Sequence, residues 1–347
     1  MKAKIFAIIS IFVLFSCKKE VEKETLYWDR ISERVFFQDS LDVLKLRSGQ
    51  FSYEIPKSKL PFKKVVLMNA SLVGYFTELN ATERIAGVSS PEYIYSDEVV
   101  QKIEDGTISD VGNEQKYIVE KIIALKPDAV FTNHIANFSN TYELLKKNGI
   151  EVIFLDEYLE SKPLEKSKYL LAFGKLLGLE TEATTAYKKI EKSYDSLCNA
   201  VKNLEKPTVL ANEMYGGSWF LPGGKTQFAN FVKDAGADYI LKDNPEEKAV
   251  PVSFEEVFTK AENAQFWVNA GNHKNRTGLL SVNPNYASMK VFSQGKIYTV
   301  TGREDKKAND FFESGVVRSD VVLKDYIKIF HPEVLLGYNL TYMRELK

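Results

Sequence analysis

From Glu120 to Thr132, and again from Glu255 to Val268, the chain writes one unit twice: an acidic residue, a short amphipathic helix, a turn and an apolar strand. The first copy runs Glu-Lys-Ile-Ile-Ala-Leu-Lys-Pro-Asp-Ala-Val-Phe from Glu120 and continues into Thr132, Asn133 and His134. The second runs Glu-Glu-Val-Phe-Thr-Lys-Ala-Glu-Asn-Ala-Gln-Phe from Glu255 and continues into Trp267, Val268 and Asn269. Asp128-Ala129 answers Asn263-Ala264 at the same offset. A helix and a strand of this kind must bury their apolar faces against further layers. Two copies in the two halves therefore predict two related lobes, each showing an acidic group to one partner.

The surrounding pattern agrees. Strands are expected at Lys64–Met68, Arg84–Val88, Ala129–Thr132 and Glu151–Leu155, with helices through Leu79, over 117–126 and over Thr141–Asn148, the last closed by Gly149. Alternation at this spacing predicts a mainly parallel sheet with helices on both faces. The strand signal stops between Lys166 and Leu204. There Tyr187, Ile190, Tyr194, Leu197, Val201 and Leu204 advance by helical steps, and Gly178 separates two helices. The second lobe opens at Pro207–Ala211, with a helix over Thr226–Ala235, a strand over Gly295–Val300 and a last helix over Val316–Phe330, stopped at His331-Pro332. The predicted organisation is a signal peptide over 1–16, a lipid-anchored tether and N-terminal extension over 17–60, an α/β lobe over 61–162, a helical strut over 163–205 and a second α/β lobe over 206–347. Within the extension, Phe51–Ile55 alternates like an edge strand.

The N-terminus points to export. Lys2 and Lys4 precede an apolar run, Ile5–Phe15, that is too short to span a bilayer but has the length of a signal-peptide core. It ends in Leu14-Phe15-Ser16-Cys17, which resembles a bacterial lipobox; in that reading Cys17 is the lipidated mature N-terminus. The other reading is an ordinary signal peptide with a chance cysteine. One cysteine then remains, Cys198, on the apolar helical stripe, where it reads as a small buried hydrophobe. A net charge of −1 over 347 residues offers no field for nucleic acid. The chain carries no Gly-x-Ser-x-Gly and no His-Glu-x-x-His, and Gly223-Gly224 lacks the lysine and hydroxyl residue of a phosphate loop. An exported hydrolase is thus a poor reading.

Asp110-Val-Gly112, four variable residues and then Tyr-Ile-Val-Glu120-Lys-Ile-Ile-Ala-Leu-Lys-Pro127-Asp128 resemble the signature of the periplasmic binding proteins for iron chelates and cobalamin. Trp219-Phe-Leu-Pro-Gly-Gly224, Asp234-Ala-Gly-Ala-Asp238 and Asn309–Arg318 extend the likeness over roughly 60–335, the last resembling lipid-anchored members from Bacteroidetes-like bacteria. The resemblance implies a class III fold: two doubly wound α/β lobes joined by a long rigid helix, with the ligand in a shallow cleft between them. It also implies the partners, a permease dimer with ATPase subunits of an importer of the ATP-binding-cassette type. The cargo is then a metal chelate (a ferric siderophore, haem or a corrinoid), carried as transported ligand with no other cofactor. The protein would be held to a membrane by its lipid, facing the periplasm or the cell surface. Glu120 and Glu255 match the family's surface glutamates that pair with permease arginines. A carboxylate in a first helical turn is also favoured by the helix dipole alone.

Ligands of doubly wound sheets sit beyond the carboxyl ends of the strands. The loops that qualify hold Tyr93, Tyr95, Tyr117, His134, Tyr215, Trp219, Arg303 and Phe311 as candidate ligand contacts, with His273, Arg276 and Phe312 behind them. Aromatic faces and arginines suit a large, flat, negatively charged chelate. Ile94 separates Tyr93 from Tyr95, so one of the two packs inward; Phe311 and Phe312 are adjacent, so at most one of them faces the cleft. His134 and His273 follow the two matched strands, which keeps a direct metal-ion receptor as an alternative. A third reading is a surface lipoprotein that captures chelates without an importer.

Overall fold

The computed structural model describes residues 27–347; the signal-peptide run, Cys17 and the first part of the tether lie outside them. The chain opens on a small antiparallel meander of strands β1 (Asp29–Arg30), β2 (Val35–Asp39), β3 (Val43–Ser48) and β4 (Phe51–Pro56), paired in that order. Val35, Phe37, Leu44, Leu46 and Ile55 are buried and join the core of the first lobe. The second half of the 17–60 segment is therefore folded structure. Its strands are short and half-buried, which gives each one little periodic signal. β4 lies at the edge of this sheet.

The first lobe runs β5 (Val65–Leu67), α1 (Ala70–Glu78), β6 (Ile85–Val88), α2 (Asp97–Glu104) and β7 (Ser109–Asp110). A tight hairpin of β8 (Gly112–Asn113) and β9 (Lys116–Tyr117) follows. The lobe closes with α3 (Val119–Leu125), β10 (Ala129–Thr132), α4 (Ser139–Lys147) and β11 (Glu151–Phe154). Its sheet order is β11-β10-β5-β6-β7, with every pair parallel. The chain winds outward from β5 to one edge and then returns to build the other, so the winding reverses between β5 and β10. Val65, Val66, Leu67 and the whole of β6 and β10 are buried, as expected of strands covered by helices on both faces.

The strut consists of α5 (Pro163–Ser167), α6 (Tyr169–Leu177) and α7 (Glu180–Val201). Gly178, in the left-handed region, divides the last two. At 1.5 Å per residue, α7 reaches about 33 Å. Its apolar stripe serves both lobes: Ala183, Tyr187 and Ile190 belong to the first core, and Tyr194, Leu197 and Val201 to the second. Cys198 packs half-buried on the second core, and burial beside Asp234 and Asp195 pushes its thiol up to about 12. It is an inert side chain.

The second lobe contains β12 (Thr208–Ala211), β13 (Met214–Tyr215), β14 (Ser218–Pro222), α8 (Gln227–Asp234), β15 (Asp238–Tyr239) and β16 (Ala249–Val252). It continues through α9 (Phe254–Lys260), β17 (Phe266–Val268), α10 (Arg276–Val282), α11 (Lys290–Ser293) and β18 (Lys296–Thr299). A hairpin of β19 (Glu304–Asp305) and β20 (Ala308–Asn309), then α12 (Ser314–Val317), α13 (Ser319–Phe330) and β21 (Arg344–Glu345), complete it. The main sheet is ordered β15-β12-β17-β18-β21, with only β21 antiparallel, and its winding reverses between β12 and β17. These are two doubly wound lobes on one long helix.

One expected element divides. The helix predicted over Val316–Phe330 breaks at Arg318, whose ψ of 60° leaves the helical region. The Ser167 hydroxyl donates to the Val317 carbonyl at 2.6 Å, and Ser319 donates to the Pro163 carbonyl at 2.7 Å. The strut thus takes up a carbonyl that a continuous helix would have bonded to itself.

Candidate ligand-binding cleft

The two points where strand order reverses, β5/β10 and β12/β17, are where each sheet leaves a crevice at its carboxyl edge. In the first lobe the chain knits this edge with local bonds. The Asn133 amide donates to the Asn69 carboxamide oxygen at 3.1 Å, and the Ser89 hydroxyl donates to the Met68 carbonyl at 2.7 Å. Ser90 takes a left-handed conformation and donates its amide to the Gly112 carbonyl at 2.8 Å. Gly112 itself has φ +96°, and a Cβ there would lie 2.3 Å from the Lys116 carbonyl, so the β8–β9 hairpin needs this glycine. The hairpin holds Asn113, Glu114 and Gln115 at the rim. Across from them, the β19–β20 hairpin of the second lobe offers Lys307 and Asn309, followed by Phe312. Together these walls enclose an interlobe cleft of about 520 Å³.

Its lining mixes polar and apolar surface in about equal measure. Asn69, Ser71, Ser89, Ser90, Asn113, Gln115 and Asn309 supply neutral hydrogen-bonding groups, Glu92 and Glu114 carboxylates, Lys307 an ammonium, and Tyr93 and Phe312 rings. Lys307 bridges the lobes: its Nζ lies 3.8 Å from Glu92 and 5.7 Å from the centre of the Tyr93 ring.

The candidate residues scatter. Tyr93 is exposed and lines the cleft; Tyr95, two positions on, lies half-buried beneath the Arg303 guanidinium at 5.1 Å. Arg303 also pairs with the buried Asp310 at 3.1 Å, so its charge is committed within the second lobe. Phe311 packs on the second core, and its neighbour Phe312 is the ring that opens into the cleft. That reverses the choice of Phe311. Tyr117 is buried, 4.5 Å from Phe138, with its hydroxyl enclosed and unpartnered. His134 sits among Phe51, Phe154 and Tyr142, and its backbone amide donates to Asp156 at 3.3 Å. Neither residue lines the cleft. Tyr215 stands at the tip of the β13–β14 hairpin, 81% exposed and away from the cleft lining.

Trp219 is a correction. It is fully buried, its ring 5.4 Å from Trp267 and 5.3 Å from Tyr286, and its indole N–H donates to the Ala211 carbonyl at 3.0 Å. The flanking glycines read as loop, but β14 pairs with β16 and turns this face inward. Arg276 is likewise structural, donating to the Leu346, Phe292 and Gly295 carbonyls. His273 is held by Glu213 at 2.5 Å. Among the described residues no group of three or more His, Cys, Asp or Glu side chains is placed to hold a metal ion. Glu92, Glu114, Lys307 and Phe312 carry the chemistry of the cleft. Their loops were foreseeable from topology, whereas polar loop residues give no periodic signal of their own.

Glu120 and Glu255 are both exposed, each the second residue of its helix, α3 and α9. The internal likeness is closer in space than in sequence. Asp128 accepts from the Lys63 and Lys64 amides just ahead of β5, and Gln265 accepts from the Thr208 amide at the start of β12. Ala129 pairs with Val65 as Phe266 pairs with Val209. The structural counterpart of Asp128 is therefore Gln265, two positions later than the sequence offset gives, and the second turn is longer.

A family model described as periplasmic binding protein matches residues 65–304. The chain belongs to this family. Among periplasmic binding proteins of known structure, one from Veillonella parvula superposes with a TM-score of 0.64 at 14% identity, over 85% of this chain and 99% of that one. A periplasmic heme binding protein from Pseudomonas aeruginosa superposes at 0.59 with 19% identity, over 82% and 98%. An uncharacterized lipoprotein of Methanocaldococcus jannaschii is 23% identical over 288 residues, covering 80% of this chain and 67% of the relative.

Proposed function

We propose that this periplasmic binding protein captures a metal chelate in its interlobe cleft and delivers it, without chemical turnover, to an importer of the ATP-binding-cassette type. The observation that carries the reading is the cleft itself. It is open, of mixed polar and apolar lining, of ligand size, and lies where two doubly wound sheets face each other across one long helix with a foot in each core. A heme binding protein among its structural relatives supports the ligand class. A lipoprotein among its sequence relatives supports a lipid anchor at Cys17 and a place at the membrane surface.

Delivery would use Glu120 and Glu255, exposed at matching places on the two lobes. Exposed ion pairs are individually weak, so their value lies in orientation and encounter rate. The double substitution Glu120→Arg/Glu255→Arg is expected to abolish uptake in cells while leaving cargo affinity within twofold; normal uptake by that variant would remove the docking role. The cargo itself is read by purifying the protein from its native cells and recording mass and absorbance of what it carries. A chelate band or a Soret or corrin spectrum supports the reading, and a metal-free cargo overturns it.

A further inference from the structure

The ligand expected from sequence was anionic, because arginines and aromatics populate the right loops. The structure withdraws the arginines. Arg303 is committed to Asp310 and Tyr95, and Arg276 to three backbone carbonyls. The charged side chains that line the cleft are Glu92, Glu114 and Lys307, and Lys307 is already shared between Glu92 and the face of Tyr93. The depression beyond β11 also carries more carboxylates than cations, with Arg34 and Lys248 set against Glu160, Glu246 and Glu247.

From this geometry we infer that the cleft selects a chelate of zero or positive net charge with amide or hydroxamate groups at its periphery, and discriminates against polyanionic chelates. The inference rests on the chelate reading above. Glu114 is exposed at the rim with no ion pair, so a cationic group on the ligand would find a ready counter-charge and an anionic one a like charge. The donors left over are neutral: the carboxamide nitrogens of Asn69 and Asn113, whose oxygens are taken by backbone amides, the side chain of Gln115 and the hydroxyl of Ser90. Such groups match carbonyl and hydroxamate oxygens one bond at a time. Tyr93 and Phe312 line the cleft, one from each lobe, and would cover hydrocarbon or ring surface. Rejection through Glu114, with Glu92 balanced by Lys307, is the repulsive half of specificity, and the neutral amides are the attractive half.

The test titrates the full-length protein, stripped of cargo, with four probes in low salt. These are a linear ferric trihydroxamate of charge +1, a neutral cyclic ferric trihydroxamate, neutral cyanocobalamin and a ferric tricatecholate of charge −3. At least one of the first three is expected to bind tenfold or more tighter than the tricatecholate. In the Glu92→Gln/Glu114→Gln variant the gap should shrink below threefold, with the folded state verified by circular dichroism. A tricatecholate that binds as tightly as the best of the others overturns the charge rule and leaves the chelate reading standing. Failure of all four, together with a metal-free native cargo, overturns both.

Discussion

Trp219 shows how a residue's role is decided by its partners. Glycines on either side suggested a loop, yet the ring fills the second core between Trp267 and Tyr286 and spends its N–H on the Ala211 carbonyl. Trp219→Phe is expected to lower stability by about 2 kcal/mol, from lost volume and an orphaned carbonyl. Chemical denaturation checks this, and a change of cleft affinity with no loss of stability would contradict the placement. Gly74 makes the complementary case. A Cβ on it would lie 2.5 Å from the Glu313 carbonyl oxygen, where α1 of the first lobe meets the turn into α12. Gly74→Ala should destabilise by roughly 1–3 kcal/mol, because backbone must move to admit the methyl. Gly315→Ala, where the nearest atom is 3.5 Å away, serves as the control and should cost under about 1 kcal/mol in the same melt.

At the scale of elements, strand and helix positions were largely legible. β10 occupies Ala129–Thr132 as its apolar run predicts, and the period of α7 could be read residue by residue. Local periodicity carries that information because each of these elements buries a continuous face. β4 was legible as the edge strand Phe51–Ile55, but the short strands β1 to β3 and the break at Arg318 were not. The first depend on pairing across the meander, and the second on hydroxyls from α5 reaching the backbone. The doubled unit was visible, but its register was not: Gln265, and not Asn263, stands where Asp128 stands, because strand pairing defines the match. The loops that line the cleft were named in advance more often than the side chains that line it. Tyr93 opens into the cleft while Tyr95 lies under Arg303, and a sequence cannot say which of two alternating rings the opposite lobe will cover.

At the scale of the whole molecule, Glu313 ties the lobes together beside the cleft. Its carboxylate is buried and accepts from the Tyr95 amide at 2.6 Å and the Ser96 amide at 3.1 Å, at the entrance to α2. Burial raises its pKa to about 7, above the ordinary 4.5, against the opposing pull of those two amides; Asp310 raises it further and Arg303 lowers it. The folded state thus holds this proton more tightly than the unfolded chain does. Its contribution to stability is full below about pH 4.5 and is lost as pH rises through about 7, by roughly 1.4 kcal/mol per unit across that window. Glu313→Gln, which cannot ionise, should therefore gain stability relative to the native protein at pH 8 more than at pH 5.5. Denaturation curves at the two pH values decide the point; an equal difference at both would show that Glu313 titrates normally.

The order of the main-sheet strands and the helices around them, the two-lobe plan and the helix between the lobes follow from the sequence alone, because apolar period and helix stops are local properties of the chain. What lines the cleft was decided only in three dimensions. Arg303 and Arg276 were drawn into bonds with Asp310 and with distant carbonyls, Trp219 was folded inward by a strand some thirty residues away, and Lys307 and Phe312 were brought opposite Tyr93 by a hairpin of the other lobe. Apart from the Arg303–Asp310 pair, which closes around one hairpin, each outcome turns on contacts between segments well apart in sequence. The matched glutamates remain where the repeat put them, exposed on both lobes, and the cleft is lined by a different set of residues from the one the loops suggested.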